Sequence, residues 1–202
     1  MNEQFKATIN LDSLVMHNGQ LADPRHPIAR AMKKISAVRK KTDADFDKLA
    51  ELEFKGGLYT NADGDVILPG KVLEAAIHAG AKKSKEGKDC LSALFVDNDP
   101  IISYNGGPLP LDDLIKSEEH RRTDGVKVGQ SRVMRTRPYF RNVTFEVEMT
   151  LNTDLVNPEK LEKWIEDCLN QCGIGDWRPR HGRGTLLAFE AVSKPKKLTS
   201  VK

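Results

Sequence analysis

The order of elements in this 202-residue chain predicts an α+β fold of the ferredoxin-like kind, βαββαβ, with four antiparallel strands and two helices on one face. Three observations carry this expectation. Apolar residues alternate with polar ones at 5–15 and again at 143–151, the period of a half-buried strand. Apolar stripes at helical spacing occupy 71–83 and 158–172. A glycine- and arginine-rich stretch follows the second stripe and runs directly into an apolar segment at 185–192. The predicted core is therefore strand 5–15, helix 71–83, strand 126–139, strand 143–151, helix 158–172 and strand 185–192.

The first strand places Phe5, Ala7, Ile9 and Leu11 on one side. The segment around His17-Asn18-Gly19 breaks it, and residues 17–68 become an insertion. Two helices are expected there, a basic one at 28–39 and a second at 43–54, followed by a short hairpin over 58–68. Pro69-Gly70 opens the first core helix, whose small residues Ala75, Ala76, Ala79, Gly80 and Ala81 suit close packing on a sheet. Residues 84–125 read as a second insertion, rich in charge and proline. At 143–151, Val143, Phe145, Val147, Met149 and Leu151 point inward between outward Thr144, Glu146, Glu148 and Thr150. Asn157-Pro158 is an N-cap followed by proline at the first helical position, and Gly173 stands where a helix-ending glycine belongs. Residues 1–192 are thus expected as one elaborated domain, and 193–202 as a flexible basic tail.

The net charge is only +3, so charge distribution matters more than the total. Between Gln130 and Asn142 stand Arg132, Arg135, Arg137 and Arg141 with no acid. Arg25 to Lys41 holds seven basic residues and no acid, whereas acids gather in Asp43 to Glu53. Such segregation builds a basic face on a nearly neutral protein. The three cysteines, Cys90, Cys168 and Cys172, match no metal motif or even-numbered disulfide framework. No apolar run approaches a membrane span, and the N-terminus does not read as a signal peptide. A reduced cytoplasmic protein with no membrane partner is the resulting expectation.

The densest chemistry lies in Gly173-Ile174-Gly175-Asp176-Trp177-Arg178-Pro179-Arg180-His181-Gly182-Arg183-Gly184. Arginine forks suit phosphate, and glycines let a backbone approach a ligand closely. Candidate nucleic-acid contacts are therefore Arg132, Arg135, Arg137, Arg141, Trp177, Arg178, Arg180, Gly182, Arg183 and Gly184, with Trp177 or Tyr139 as a stacking platform. Gly173 is explained by helix termination alone. The bland alternative for the arginines is a solvated strand face, and for Trp177 an anchor pinning the loop to the core. The basic segment holding Arg30, Lys33, Lys34, Arg39, Lys40 and Lys41 is a further candidate surface, or a plain solvated helix face.

The segment Ile67-Leu68-Pro69-Gly70-Lys71-Val72-Leu73-Glu74-Ala75-Ala76-Ile77, together with the Gly182-Arg183-Gly184 loop, resembles the RAMP superfamily, which forms CRISPR effector backbones and crRNA-processing subunits. The Gly-Asp-Trp-Arg-Pro loop also resembles uncharacterised bacteriophage proteins, which would put the chain in a bacterial host cell. The RAMP resemblance implies RNA or single-stranded DNA held along a basic groove, often by several copies in a row. It does not imply catalysis.

Three histidines, His17, His26 and His181, are candidates for a metal-independent RNA endonuclease, because RNA cleavage can use an acid–base pair. His78 and His120 read as structural or solvated. Asp63-Gly64-Asp65 and Asp97-Asn98-Asp99 read as turns, since neither continues at calcium-loop spacing. No phosphate-binding loop, dinucleotide fingerprint or nucleophile elbow occurs, so no cofactor and no metal are expected. The leading expectation is a non-enzymatic binder of single-stranded RNA or DNA. The endonuclease and a phage structural protein or inhibitor are the alternatives.

Overall fold

The computed structural model describes residues 1–192; the tail expected at 193–202 lies outside the described residues. Strand β1 (Asn2–Val15) is flanked by β5 (Gly184–Ala191) on one side and by β4 (Ser131–Asn152) on the other. The far edge of β4 carries β2 (Leu94–Val96) and β3 (Arg121–Val128). The result is a five-stranded sheet of order β2-β4-β1-β5, with β3 paired to β4 and every pairing antiparallel.

Strands β1 and β4 meet in a long register, from Asn2 opposite Asn152 to Val15 opposite Tyr139. Phe5, Ala7, Ile9 and Leu11 on β1 and Val143, Phe145, Val147, Met149 and Leu151 on β4 are all buried. Helices α3 (Gly70–Ala81) and α6 (Pro158–Asp167) supply buried residues to the same core. The Asn157 side chain accepts a hydrogen bond from the Glu159 backbone N–H and fixes the start of α6. A π-helical turn, Cys168–Cys172, then extends α6 to Gly173, whose φ is +77°. The two helices touch closely at Gly80, where a Cβ would overlap the Trp164 carbonyl and the Cys168 backbone. Trp164 is wholly buried and donates its indole N–H to Glu86 at 2.7 Å.

The opposite face of the sheet carries Lys6, Thr8, Thr144, Glu146, Glu148 and Glu190, with Lys6 paired to Glu146 at 2.7 Å. Three glutamates against one lysine make this open face unattractive to phosphate. The insertion after β1 folds as α1 (Pro27–Ser36) and α2 (Asp43–Gly57). Thr42 and Asp45 cap α2 reciprocally, and the buried Glu53 ties it to β4. Short helices α4 (Gly87–Ala93) and α5 (Leu111–Lys116) precede β2 and β3 respectively.

Several expected elements are redrawn. No break separates strands at 126–139 and 143–151, because residues 131–152 form one strand of 22 residues. Its first half pairs with β3 in a hairpin, Arg121 opposite Pro138 through Val128 opposite Ser131. The core strand preceding this hairpin is instead Leu94–Val96, inside the stretch 84–125 read as an insertion. The run 93–96 reads as a strand of that insertion, and its pairing with β4 makes it part of the core sheet. The hairpin expected over 58–68 reduces to one bridge, Thr60 with Val66, and Ile67 bridges to Ile101 instead.

Asn142 explains why β4 is hard to read. Its φ is +50°, and at this point burial moves from odd positions, 143 to 151, to even ones, Thr136, Pro138 and Phe140. Strand β1 makes the matching change between Leu11 and Leu14, both buried. Without this break Arg135, Arg137, Tyr139 and Arg141 would point into the core.

Candidate nucleic-acid interface

Residues 174–182 form a loop closed at its base by the chain's own backbone. The Ile174 N–H donates to Gly182 O at 2.9 Å, and the Gly182 N–H donates to Ser13 O at 2.8 Å. The Asp176 N–H donates to Val15 O at 2.8 Å, so the loop rests on the end of β1 beyond β5. Gly182 has a φ of +79°, and a Cβ there would collide with the Ile174 backbone. A Cβ on Gly184 would collide with the backbone of Asn10 and Leu11. The space vacated at both glycines is thus filled by the protein itself. The Gly173 N–H donates to Cys168 O and ends the π turn, the stop its place in the sequence predicts.

The arginines divide into two groups. Arg135 donates to the buried Glu53 carboxylate at 2.6 Å, and the Thr136 N–H donates to the other oxygen of that carboxylate, also at 2.6 Å. Arg137 donates to Asp176 at 3.2 Å and is almost covered. These two guanidiniums fasten α2 and the loop to β4. Arg132, Arg141, Arg178, Arg180 and Arg183 are exposed and form no ion pair among the described residues.

Tyr139 lies between the two groups. The Arg122 guanidinium is 5.5 Å from its ring centre and that of Arg141 is 5.6 Å away. Arg122 is itself oriented by Asp124 at 2.7 Å. The His181 ring meets Tyr139 edge-on at 5.6 Å, and its Nδ1 shares a hydrogen bond with Ser13 Oγ at 2.9 Å. Burial, then the charges of Arg122 and Arg180, lower the His181 pKa. Its Nε2 is buried without a partner. Sequence reasoning missed Arg122 and Ser13. The Arg121-Arg122 pair was a visible signal, hidden by reading its surroundings as a surface excursion.

The tip of the loop holds Trp177, Arg178, Pro179 and Arg180. Trp177 is half-buried, with a φ of +53° that costs a bulky residue on the order of 1–3 kcal/mol. Its backbone N–H donates to Asp176 Oδ1 at 2.9 Å, so the carboxylate held by Arg137 also holds this turn. Trp177 lines an open groove of about 640 Å³ with Arg178, Lys83, Gln171, Cys172 and Gly175.

The three candidate catalytic histidines are not brought into contact with one another. His181 touches Ser13 and Tyr139. His17 lines a separate cavity of about 200 Å³ with Tyr59 and Asp176, and its pKa is lowered by desolvation and by Arg137. His26 precedes α1, where its backbone carbonyl accepts from Arg30. The acidic turns have structural partners. Asn61 Oδ1 accepts from the N–H groups of Asp63 and Asp65, while Asp99 accepts from the Gly70 N–H at the start of α3. Among the described residues no helix is long and apolar enough to cross a membrane.

No protein-family model matches the chain, and no curated protein matches it. Among solved structures, a chain of the Type III-B Cmr-beta complex bound to cognate target RNA aligns with a TM-score of 0.49 and 8% sequence identity. The alignment covers 94% of this chain, which spans only 61% of that chain's length.

Proposed function

We propose that this protein binds single-stranded RNA or DNA without cleaving it, on the surface formed by the loop tip and the outer half of β4. The single observation that carries this reading is Tyr139, half-buried and within 5.5 and 5.6 Å of the Arg122 and Arg141 guanidiniums, next to a loop whose exposed Arg178, Arg180 and Arg183 form no ion pair among the described residues. A partly exposed aromatic ring takes a base, and Arg141 with the exposed loop arginines takes phosphates, while Arg122, paired with Asp124, borders the ring. Arg132 is exposed farther along the same hairpin, on the face of Thr136 and not on that of Tyr139. Arg135 and Arg137 serve by orientation, since their own charges are already matched.

The sheet order and the two helices on one face support a ferredoxin-like core of RAMP type. In that core β1, α3, β2, β4, α6 and β5 are the six elements, and α1, α2 and the β3 hairpin are additions. Binding lies at the edge and loops rather than on the open sheet face, whose glutamates repel phosphate. Without contact among them, His17, His26 and His181 do not form the acid–base pair that cleavage would use.

Fluorescence anisotropy with labelled single-stranded RNA and DNA at low salt tests the reading. Binding is expected to weaken at least tenfold in a Tyr139→Ala, Arg141→Ala variant, by loss of stacking and one phosphate contact. Absence of binding by the native protein at tens of micromolar overturns it.

A further inference from the structure

We propose that the groove beside Trp177, on the helix side of the loop, is a separate subsite for one nucleotide of the bound strand. Its base stacks on the Trp177 indole, and its phosphate is held by Lys83 and Arg178. The inference rests on the single-strand-binding reading and adds a pocket to it. Tyr139 belongs to the sheet side of the loop. Trp177 faces the end of α3 and the π turn, as its neighbours Ala79, Lys83, Gln171 and Cys172 require.

Four observations converge on this groove. Its volume of about 640 Å³ lies within the usual size of a small-molecule site. The backbone that carries the aromatic wall is anchored: Asp176 accepts from the Trp177 backbone N–H and from the Arg137 guanidinium together, and its own backbone N–H donates to the Val15 carbonyl. A backbone already held in place leaves less to order when a base stacks on its side chain. Two cations of the lining, Lys83 and Arg178, are exposed and make no ion pair among the described residues. Gln171 offers an amide that can both donate to and accept from a base edge, although one N–H is engaged by Asp167 at 2.9 Å.

The chain carries its own reporters. It has two tryptophans, and Trp164 is wholly buried and bonded to Glu86, so changes in emission on ligand binding report Trp177. Cys172 lines the groove and is half-buried, whereas Cys90 and Cys168 are buried with thiols pushed up to about 11 and about 12 by burial. Iodoacetamide at mildly alkaline pH therefore labels Cys172 first.

The full chain is titrated with AMP, UMP and an oligouridylate while tryptophan emission and the rate of Cys172 alkylation are followed. The expected result is quenching by all three, protection of Cys172, and competition between AMP and the oligonucleotide. Lys83→Ala is expected to weaken AMP binding about tenfold. Trp177→Phe keeps a stacking face and abolishes the quench, yet Cys172 stays protected. Salt-sensitive oligonucleotide binding with unchanged emission and unprotected Cys172 overturns the subsite and leaves the binding surface standing. Absence of both binding and protection overturns both.

Discussion

Removing Arg178 and Arg183 together is expected to change the salt dependence of binding by a calculable amount. Five exposed arginines, Arg132, Arg141, Arg178, Arg180 and Arg183, lack an acidic partner among the described residues. If each meets one phosphate of a single strand, log K falls with log salt at a slope of about −3.5. A fourfold rise in salt then costs roughly 130-fold in affinity. The Arg178→Ala, Arg183→Ala variant retains three contacts, a slope of about −2.1 and a loss of roughly 20-fold over the same range. Arg135→Ala is the internal control. Its guanidinium is already neutralised by Glu53, so the slope stays near that of the native protein while stability falls. The assay is anisotropy at four or more salt concentrations with one labelled oligonucleotide. An unchanged slope in the double variant, or a drop in the Arg135 variant equal to that of one free arginine, refutes the division into free and engaged arginines.

Other outcomes follow from the same geometry. Glu53→Gln keeps one acceptor but leaves Arg135 without its counter-charge, and urea denaturation is expected to show a loss of about 1–3 kcal/mol. Gly80→Ala forces α3 away from the Trp164 carbonyl and should cost about 1–3 kcal/mol, read as a lower Tm with nucleic-acid affinity retained at low temperature. Gly182→Ala meets backbone on both counts, conformation and space, so little folded protein is expected by circular dichroism. His78 and His181 have lowered pKa values, from burial and then from Lys82 at His78 or Arg122 and Arg180 at His181. With His17, lowered mainly by desolvation, the unfolded chain therefore takes up protons first, so stability should fall as pH drops below about 6.5 and hold level above it. It should fall again above about 8.5, where the unfolded cysteines ionise before the buried Cys90 and Cys168. A His181→Asn variant that shows the same acid loss as the native protein would contradict the share assigned to that ring.

Much of the fold is legible in the sequence where a period runs long enough. The alternation from Phe5 to Leu11 and from Val143 to Leu151, and the stripe through Leu161, Trp164, Ile165 and Cys168, each mark an element that forms. The run at 93–96 reads as a strand, but a short one inside an insertion; that Leu94–Val96 is a core strand is set by its pairing with β4 and not by its own pattern. The 22-residue β4 is misread for a different reason. Arginines at odd positions below 141 and apolar residues at odd positions above 143 look like two strands, when one irregularity at Asn142 turns a single strand over. The change of character at constant parity was the available clue. Site residues show the same limit. Composition marks the loop and the arginines, but only packing separates Arg135 and Arg137, already paired, from the five that are not.

The closed base of the loop also bears on how such a protein can change. Gly173, Gly182 and Gly184 meet their own backbone, whereas Arg178, Pro179 and Arg180 project from it and are exposed. Selection on the fold therefore acts on one set of positions and selection on the ligand on another. Libraries that randomise 178–180 while holding the three glycines would explore new specificities on an unchanged frame. A deep mutational scan would record that division as intolerant and permissive positions alternating within a dozen residues.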